Sequence, residues 1–341
     1  MFGCHQPTTL DLPIPPIHRI SFTDQAITVD GKMDTAWDQA DWSDLFVDIE
    51  GADKPAPYFD TRIKMLWDDT YFYVFAYMEE PHVWGDITQR DAVIFHNNDF
   101  EVFIKPNLYK PYYTEFEVNA LGTLWELVLL SPYRIGGPVS NRWDVNDTQI
   151  GIDVQGTLNN PTDIDSSWTL EMAIPISALD ELDRSKSFEV GDFWRVNFSR
   201  VQWQHQIQNN TYQRKLDDDG MLLAENNWVY TPQYAIAMHR PEHWAYMQFI
   251  KSENDHRDLD FLEAYQLAYH LFKQQLDYRN EHNSFSSDIT DFGGPKFKVQ
   301  GITFTATTFT THTGFEIVVS HPSEGSLSID QNENITIKRY E

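Results

Sequence analysis

The chain contains very little cysteine, with the single residue Cys4 among 341. One thiol cannot form an intramolecular disulfide, and cysteine usage alone does not indicate the redox compartment. A lone cysteine at the terminus also excludes thiol catalysis. Long hydrophobic runs are missing too, because no apolar stretch approaches the length of a membrane span.

Basic residues are scarce as well. Lys and Arg number 25 against 52 Asp and Glu, which gives a formal net charge of -27. Such a charge repels polyanions such as nucleic acid or an anionic membrane surface. A neutral or cationic ligand, or a bound divalent cation, is the compatible partner. Acidity that only keeps an exposed protein soluble explains the charge equally well.

Several motifs of known chemistry are absent from the sequence. It has no glycine-rich phosphate loop, no helical zinc signature and no Gly-x-Ser-x-Gly nucleophile elbow. The 12 histidines are scattered along the chain. The remaining candidates for a functional site are therefore carboxylates and aromatic side chains.

Alternating apolar and polar residues indicate many short strands. Residues 61–67 and 71–78 form two alternating runs on either side of the turn 68–70, which predicts a β-hairpin. The same alternation occurs in "DFEVFIKP", "YYTEFEVNALGTLWELVLL", "SWTLEMAIPISAL" and "GDFWRVNFSRVQW". Many strands separated by turn residues favour a mainly β protein with an antiparallel β-sandwich over a parallel α/β sheet.

The two ends of the chain differ from this middle region. Residues 1–20 are proline-rich and show no sustained period, which predicts an extended tether. Residues 258–282 place apolar side chains at helical spacing, which predicts one amphipathic helix, and residues 295–341 return to strand patterns. We therefore divide the chain into a tether, 1–20, a sandwich, 21–255, and a C-terminal helix with a β-hairpin extension, 256–341.

The first residues carry a separate signal. Cys4 directly follows Met-Phe-Gly, and this opening resembles the end of a bacterial lipoprotein signal. The resemblance predicts lipidation of Cys4 and an exported protein, either periplasmic or at the cell surface. An incidental cysteine in a frayed terminus is the alternative. The lipid anchor is the one membrane contact that the sequence suggests.

Paired carboxylates are one candidate site. Asp99 with Glu101, and Glu115 with Glu117, are two residues apart on predicted strands and so share a strand face. Two carboxylates at a fixed separation are what a glycoside hydrolase needs. Among 52 acidic residues, however, such pairs also arise by chance.

Acidic turns are a second candidate, for calcium, which takes about six to eight oxygen ligands. Asp68, Asp69, Asp86, Asp91 and the segment 216–220 are plausible donors. None of them has the spacing of a helix–loop–helix calcium loop. Solvated turn residues are the simpler interpretation.

Aromatic side chains are a third candidate, since they make up 14% of the chain. Sugar rings pack their C–H faces on aromatic rings, while their hydroxyls meet amides and carboxylates. Trp37, Trp67 and Trp194 lie within apolar alternation and are predicted to be core. The aromatic residues near polar strand faces or in adjoining loops are Trp84, Phe95, Trp125, Trp143 and Trp203.

The order of several sequence blocks is more specific than any single motif. In chain order the blocks are "ITVDGKMDTAWDQA", "TRIKMLWDDTYFYVFAY", "NNDFEVFIKP", "YYTEFEVNALGT", "WTLEMAIPISAL", "FWRVNFSRVQW" and "MHRPEHWAYMQF". In this order they resemble the family 9 carbohydrate-binding modules, in particular their long bacterial branch, over residues 21–250. The resemblance implies a DOMON-like β-sandwich that binds sugars at the ends of glucan or xylan chains and carries structural calcium.

The resemblance also implies site residues. Phe95 stands at the position of one of the two aromatic residues that sandwich the terminal sugar in the family. Glu101 matches the glutamate that hydrogen-bonds sugar hydroxyls, and Asn119 matches a further polar contact. These three positions are expected to contact the ligand.

Three positions depart from the family pattern. Glu117 replaces an arginine, Ser199 stands where a glutamine is expected, and Met238 stands where the second sandwich tryptophan is expected. The chain therefore keeps only part of the family's sugar clamp, so its ligand differs or its site has moved to other aromatic residues. Those other aromatic residues are Trp84, Trp125 and Trp203.

These observations predict a non-catalytic carbohydrate-binding protein that serves polysaccharide capture or degradation, with a xylan or β-glucan ligand and no nucleic-acid partner. Structural calcium is the one cofactor that they suggest. A xylanase-like glycoside hydrolase that uses Glu101 or Glu117 is the first alternative. A haem-binding DOMON-type domain is the second, because Met238 stands next to His239 and some relatives of this sandwich class hold haem through such side chains.

Overall fold

The computed structural model describes residues 6–182 and 187–340. Cys4, with its predicted lipidation, lies outside the described residues. The described part of the chain is built mainly of strands, with one long helix, α2, at Leu262–His282 and one short helix, α1, at Ile176–Asp180. None of the described helices is both long and apolar enough to cross a membrane.

The described strands are, in chain order, β1 Thr8–Leu10, β2 Ile17–Ser21, β3 Val47–Asp48, β4 Thr61–Trp67, β5 Tyr71–Glu79, β6 Asp99–Lys105, β7 Tyr113–Asn119, β8 Leu124–Leu129, β9 Val139–Ser140, β10 Gln149–Gln155, β11 Ser167–Pro175, β12 Phe193–Gln202, β13 His205–Gln208, β14 Thr211–Arg214, β15 Asn226–Val229, β16 Ala245–Ile250, β17 Lys296–Val299, β18 Ile302–Thr310, β19 Phe315–Ser320, β20 Gly325–Asp330 and β21 Ile335–Arg339. Single 3-10 turns include Ile94–His96, Tyr133–Ile135 and Pro241–His243.

Two sheets form a sandwich. The smaller sheet has the order β10-β11-β5-β4, and the larger has the order β2-β16-β12-β6-β7-β8-β9, with β15 and β3 added beside β12. Their facing sides bury a common core that includes Phe100, Val102 and Phe198. All pairings in the sandwich are antiparallel apart from β2 with β16, so the predicted antiparallel β-sandwich is confirmed.

The hairpin predicted around residues 68–70 is present. β4 pairs antiparallel with β5, with Thr61 opposite Met78 at one end of the ladder and Trp67 opposite Phe72 at the other. Asp68 closes the turn, because its carboxylate accepts hydrogen bonds from the N–H groups of Thr70 and Tyr71, both at 2.7 Å. A short side chain that caps its own turn is typical of aspartate at this position.

A third sheet forms the C-terminal unit. Its order is β1-β17-β18-β19-β20-β21, and α2 packs on one face of it. The helix begins at Leu262, four residues after the start predicted from spacing, and its apolar stripe is buried as expected for packing. Tyr269 and Phe272, for example, are buried in the same cluster as Phe315 and Ile317.

The segment predicted to be a tether instead contributes two strands. β1 pairs parallel with β17, and β2 pairs parallel with β16. The prolines at 13, 15 and 16 lie in the connection between these strands, where no ladder N–H is needed. The flanking stretches without proline have free backbone donors and acceptors, and these complete the edges of two different sheets.

A buried ion-pair cluster joins the C-terminal unit to the sandwich. The guanidinium of Arg134 donates to the carboxylate of Glu242 at 2.8 Å and to that of Glu333 at 2.6 Å. The side-chain amide of Gln266, on α2, donates to the carbonyl of Glu242 at 2.9 Å. These contacts place α2 and the β20–β21 turn beside the outer face of the larger sheet.

Candidate functional site

The outer face of the larger sheet carries polar side chains across four neighbouring strands. On β6 the residues Phe100, Val102 and Ile104 point into the core, so Asp99 and Glu101 point outward. The ladder then aligns outward-facing residues in rows. One row is Ser199, Glu101, Glu117 and Trp125, and the row beside it is Val201, Asp99 and Asn119.

Three carboxylates meet at the centre of these rows. Asp99, Glu101 and Glu117 can each place an oxygen so that all three atoms lie within 4.8 Å of one another. Their exposed fractions are 0%, 5% and 2%. Glu101 faces Glu117 directly across the ladder, and like charges in that position destabilise a sheet.

The pKa values of these carboxyl groups reflect the burial and the crowding. Burial, followed by the neighbouring carboxylates, raises the pKa of Asp99 and of Glu117 well above the ordinary value. Burial raises the pKa of Glu101 to about 7, and the pKa of Glu115 on the next row is raised as well. Within the described part of the chain, no ion pair with Lys or Arg offsets these charges.

A cavity of about 230 Å³ opens over this cluster. Acidic and aromatic side chains line it together, which is the combination that contacts sugar hydroxyls and sugar C–H faces. The lining includes Phe95, Glu101, Glu115, Glu117, Trp125, Tyr133, Met238 and His239. Five of the nine residues predicted for the site thus line one cavity, namely Phe95, Glu101, Glu117, Trp125 and Met238.

Ser199 and Asn119 lie on the same sheet face but outside the cavity lining. Ser199 is fully buried opposite Glu101. The side-chain amide of Asn119 donates to the carbonyl of Ile87 at 2.8 Å, and its oxygen accepts from the N–H groups of Leu121 and Thr123. Asn119 therefore holds the turn after β7, and its hydrogen-bonding groups are engaged within the protein.

Two of the three aromatic residues of the alternative site are buried in the protein. Trp84 and Trp203 are 5% and 6% exposed and pack with Val201 in a small cluster of their own. The indole N–H of Trp203 donates to the carbonyl of Phe95 at 2.7 Å. Trp203 thus positions the backbone of Phe95, which packs against this cluster and lines the cavity.

Two lining residues come from loops that sequence patterns did not assign to a sugar site. Tyr133 is 51% exposed and contacts His239 with a ring-centroid distance of 4.4 Å. His239, considered from the sequence only as a haem ligand, shares a 2.8 Å hydrogen bond with the hydroxyl of Tyr113, and burial lowers its pKa to about 4. An aromatic residue between Pro132 and the glycines at 136 and 137 is the sequence signal that could have indicated Tyr133.

A larger cleft of about 850 Å³ lies between the sandwich and the C-terminal unit. It shares Tyr133, Ala237 and His239 with the smaller cavity, so the two spaces adjoin. On its other side lie residues of α2, including Phe272 and Arg279. A ligand that enters the cavity can therefore continue along the C-terminal unit.

Two of the acidic residues predicted as calcium donors, Asp217 and Asp86, accept hydrogen bonds from groups of the protein. The carboxylate of Asp217 accepts hydrogen bonds from the N–H groups of Asp219 and Met221, both at 2.9 Å. That of Asp86 accepts from the side chain of Asn97 at 2.8 Å. The group of described acidic residues with the spacing of cation ligands is instead the buried one at Asp99, Glu101 and Glu117.

Solved structures with a similar fold are known. A Bacteroides uniformis protein proposed to bind carbohydrate aligns over 69% of this chain and 99% of its own, with 14% identity and a TM-score of 0.50. A family 9 carbohydrate-binding module from Caldicellulosiruptor kristjanssonii, solved with glucose and with cellotriose, aligns over 72% of this chain and 99% of its own in both structures. The identity and TM-score are 13% and 0.44 for the glucose complex, and 14% and 0.43 for the cellotriose complex. A comparison with curated proteins gives no match.

A family model matches one part of the chain. The matched region, residues 29–128, runs from the first turn of the sandwich through β8 and contains Phe95, Glu101, Glu117 and Trp125. It is described as the carbohydrate family 9 binding domain-like family. Residues 29–128 thus match this family, and the resemblance to family 9 carbohydrate-binding modules drawn from the sequence is confirmed.

Proposed function

We propose that the protein binds carbohydrate without transforming it, and that the cavity over β6 and β7 holds the sugar. The single observation that carries this proposal is the convergence of aromatic rings and carboxylates on one cavity. Phe95, Trp125 and Tyr133 offer ring faces, and Glu101 and Glu117 offer hydrogen-bond acceptors. The match of residues 29–128 to the family 9 binding domain supports the same assignment.

Each group has a separate role in this proposal. Sugar C–H faces pack on Phe95 and Tyr133, whose side chains are partly open at the cavity. Sugar hydroxyls donate to the carboxylate of Glu101. The indole N–H of Trp125 is buried beside the cavity and has no hydrogen-bond partner among the described residues, so a sugar hydroxyl that reaches it would satisfy it.

The ligand class follows from charge and space. With a net charge of -27, the protein disfavours a polyanionic glycan, so a neutral polysaccharide of the xylan or β-glucan type fits best. The end of such a chain fills the smaller cavity, and the following sugar units extend into the adjoining cleft of about 850 Å³. Export, with a lipid anchor on Cys4, would place the protein where polysaccharide is captured.

Calorimetric titration with xylo- and gluco-oligosaccharides tests this function. We expect Phe95→Ala and Glu101→Ala each to weaken binding by about 1 to 3 kcal/mol, because each removes one part of the clamp. Phe309→Ala and Glu316→Ala change the same residue types at exposed positions of the C-terminal sheet and serve as matched controls. Unchanged affinity in both site variants would contradict the proposal.

Glycoside hydrolysis is the second candidate, favoured by one observation. Oxygens of Glu101 and Glu117 come within 4.8 Å, near the separation of about 5 Å that retaining glycosidases use. Such enzymes also need one carboxylate that stays ionised, whereas here burial raises the pKa of both groups. Release of reducing sugar from xylan or glucan, abolished by Glu117→Gln, would replace the binding proposal with this one.

A further inference from the structure

The buried carboxylates on β6 and β7 lack the partners that the protein gives to buried carboxylates such as Glu171 and Glu80. Glu171 accepts hydrogen bonds from the indole of Trp37 and from the backbone N–H groups of Asp30 and Gly31. Glu80 pairs with Arg200 and also accepts from Asn98. At these two places, hydrogen bonds or an ion pair offset the free-energy cost of removing the carboxylate from water.

At the centre of the outer face this compensation is missing. Asp99 is fully buried, and among the described residues neither of its carboxylate oxygens accepts a hydrogen bond of ordinary geometry, although the backbone N–H of Val201 interacts with it favourably. Glu101 is 5% exposed, and its Oε2 atom has none either. Glu117 accepts a hydrogen bond from the N–H of Phe95 at 3.0 Å, and it also interacts with the side chain of the neighbouring carboxyl, Glu115. These oxygens converge within 4.8 Å, so an additional positive group would satisfy several of them at once.

We propose that Asp99, Glu101 and Glu117 bind a divalent cation of the calcium type at the base of the cavity. The donor set contains oxygen alone, with no histidine or cysteine in the group, which favours calcium or magnesium over zinc or copper. Three carboxylates supply up to six oxygens, and calcium tolerates the irregular geometry that two neighbouring strands provide.

The ladder fixes the ligands before the cation arrives. Asp99 and Glu101 project from one strand, and Glu117 stands opposite Glu101 on the next. Asp99 does not line the cavity and is the inner ligand, whereas Glu101 and Glu117 do line it. Coordination positions on the cavity side are therefore left for water or for hydroxyls of the sugar. Coordination of sugar hydroxyls by the cation deepens the proposed function and rests on it. Binding of the cation itself does not depend on the proposed function.

Direct titration of the metal tests the site without any glycan. The full chain is stripped with chelator and titrated with CaCl2 by calorimetry, and with Tb³⁺ by luminescence excited through tryptophan. Trp125 is the neighbour of Glu117 in the register, so it is well placed to sensitise bound Tb³⁺. We expect one saturable site per chain. No saturable binding of either ion by the wild-type chain would overturn the proposal.

Near-isosteric variants assign the ion to these residues. Asp99→Asn should abolish binding and Glu101→Gln should weaken it at least tenfold, whereas Asp217→Asn, in an exposed acidic turn, should leave it unchanged. Thermal unfolding guards against a folding artefact. Calcium should raise the melting temperature of the wild type but not that of Asp99→Asn. In chelator, the melting temperature of Asp99→Asn should equal or exceed that of the wild type. Equal calcium binding by wild type and Asp99→Asn would overturn the assignment.

The two proposals fail in different ways. Sugar binding that persists in a chain with no affinity for calcium or Tb³⁺ removes the cation and leaves the carbohydrate function intact. Calcium binding with no affinity for any oligosaccharide does the opposite. If calcium binds at these residues but chelator leaves the oligosaccharide affinity unchanged, the cation does not hold the sugar hydroxyls and that part of the proposal is wrong.

Discussion

Trp125 shows how much of the site depends on single atoms. Its ring belongs to the row of Glu101 and Glu117, and its indole N–H is buried without a hydrogen-bond partner in the described part of the chain. An unpartnered donor beside a cavity costs stability unless a ligand accepts from it. The same side chain therefore offers both a ring face and a directed hydrogen bond to a sugar.

The two contributions of Trp125 can be separated by substitution. Trp125→Phe keeps a ring and loses the N–H, so we expect the affinity for an oligosaccharide to fall by about 3- to 10-fold. Trp125→Ala also loses the ring and should reduce affinity by a further factor of about ten. Isothermal calorimetry measures both, with Trp143→Phe, which packs against the core, as the control. Wild-type affinity in Trp125→Phe would show that the N–H has no role, and equal losses in the two variants would show that the ring has none.

At the scale of elements, the strand pattern predicted most of the sandwich. The hairpin of β4 and β5 and the strands β6 and β7 follow directly from alternation, and alternation also placed Asp99 and Glu101 on one face. Glu101 and Glu117 face each other because of a register between strands that are close in sequence. These features are local, which is why a sequence pattern can predict them.

Other elements could not be predicted because distant contacts decide them. Asn119 matches a ligand contact in the sequence resemblance, yet the turn after β7 engages its amide. Tyr133 and His239 reach the cavity from loops far apart in the chain, and their rings contact each other there at a centroid distance of 4.4 Å. The predicted tether pairs with strands more than 200 residues away, and proline content gives no signal of such pairing.

The loop that carries Tyr133 depends on a close backbone approach at Gly137. A Cβ atom there would lie 1.7 Å from the carbonyl oxygen of Ser131, so any other residue must displace the turn. We expect Gly137→Ala to lower the free energy of unfolding by about 1 to 3 kcal/mol and to weaken oligosaccharide binding by moving Tyr133.

Gly136→Ala is the matched control for this loop. Gly136 has a φ of 74°, but a Cβ atom added there would have no neighbouring atom within 4 Å, so alanine meets only the left-handed backbone cost of about 1 kcal/mol. Urea unfolding and calorimetry on both variants make the comparison. A Gly137→Ala protein that binds oligosaccharide as tightly as Gly136→Ala would contradict the role given to the loop.

At the scale of the whole molecule, one ion-pair cluster holds the cleft in shape. Arg134 bridges Glu242 of the sandwich and Glu333 of the C-terminal unit. Burial alone would raise the pKa of Glu242, but Arg134, His243 and Arg240 lower it to about 2. A carboxyl whose folded pKa lies below its unfolded value of 4.5 stabilises the fold above that value, and this contribution is lost as the pH falls toward 2.

The lowered pKa of Glu242 in the folded state gives a prediction for stability in acid. Glu242→Gln should lower the free energy of unfolding by about 3 kcal/mol at pH 7, and the gap to the wild type should narrow by about 1 kcal/mol per pH unit below pH 4.5. Denaturant unfolding between pH 7 and about pH 3.5 measures the gap, with the exposed Glu316→Gln as control. A gap that stays constant with pH would show that Glu242 does not carry this contribution.

The pairing of β1 with β17 has a consequence for the order in which the protein folds. Thr8 lies beside Phe297, so this contact closes a loop of almost the entire chain. Ile17 lies beside Tyr246 in the larger sheet, which is nearly as remote. Contacts of such separation form slowly, and on a ribosome they must wait until β16 and β17 have emerged. The strands β1 and β2 are therefore among the last described elements to reach their native positions.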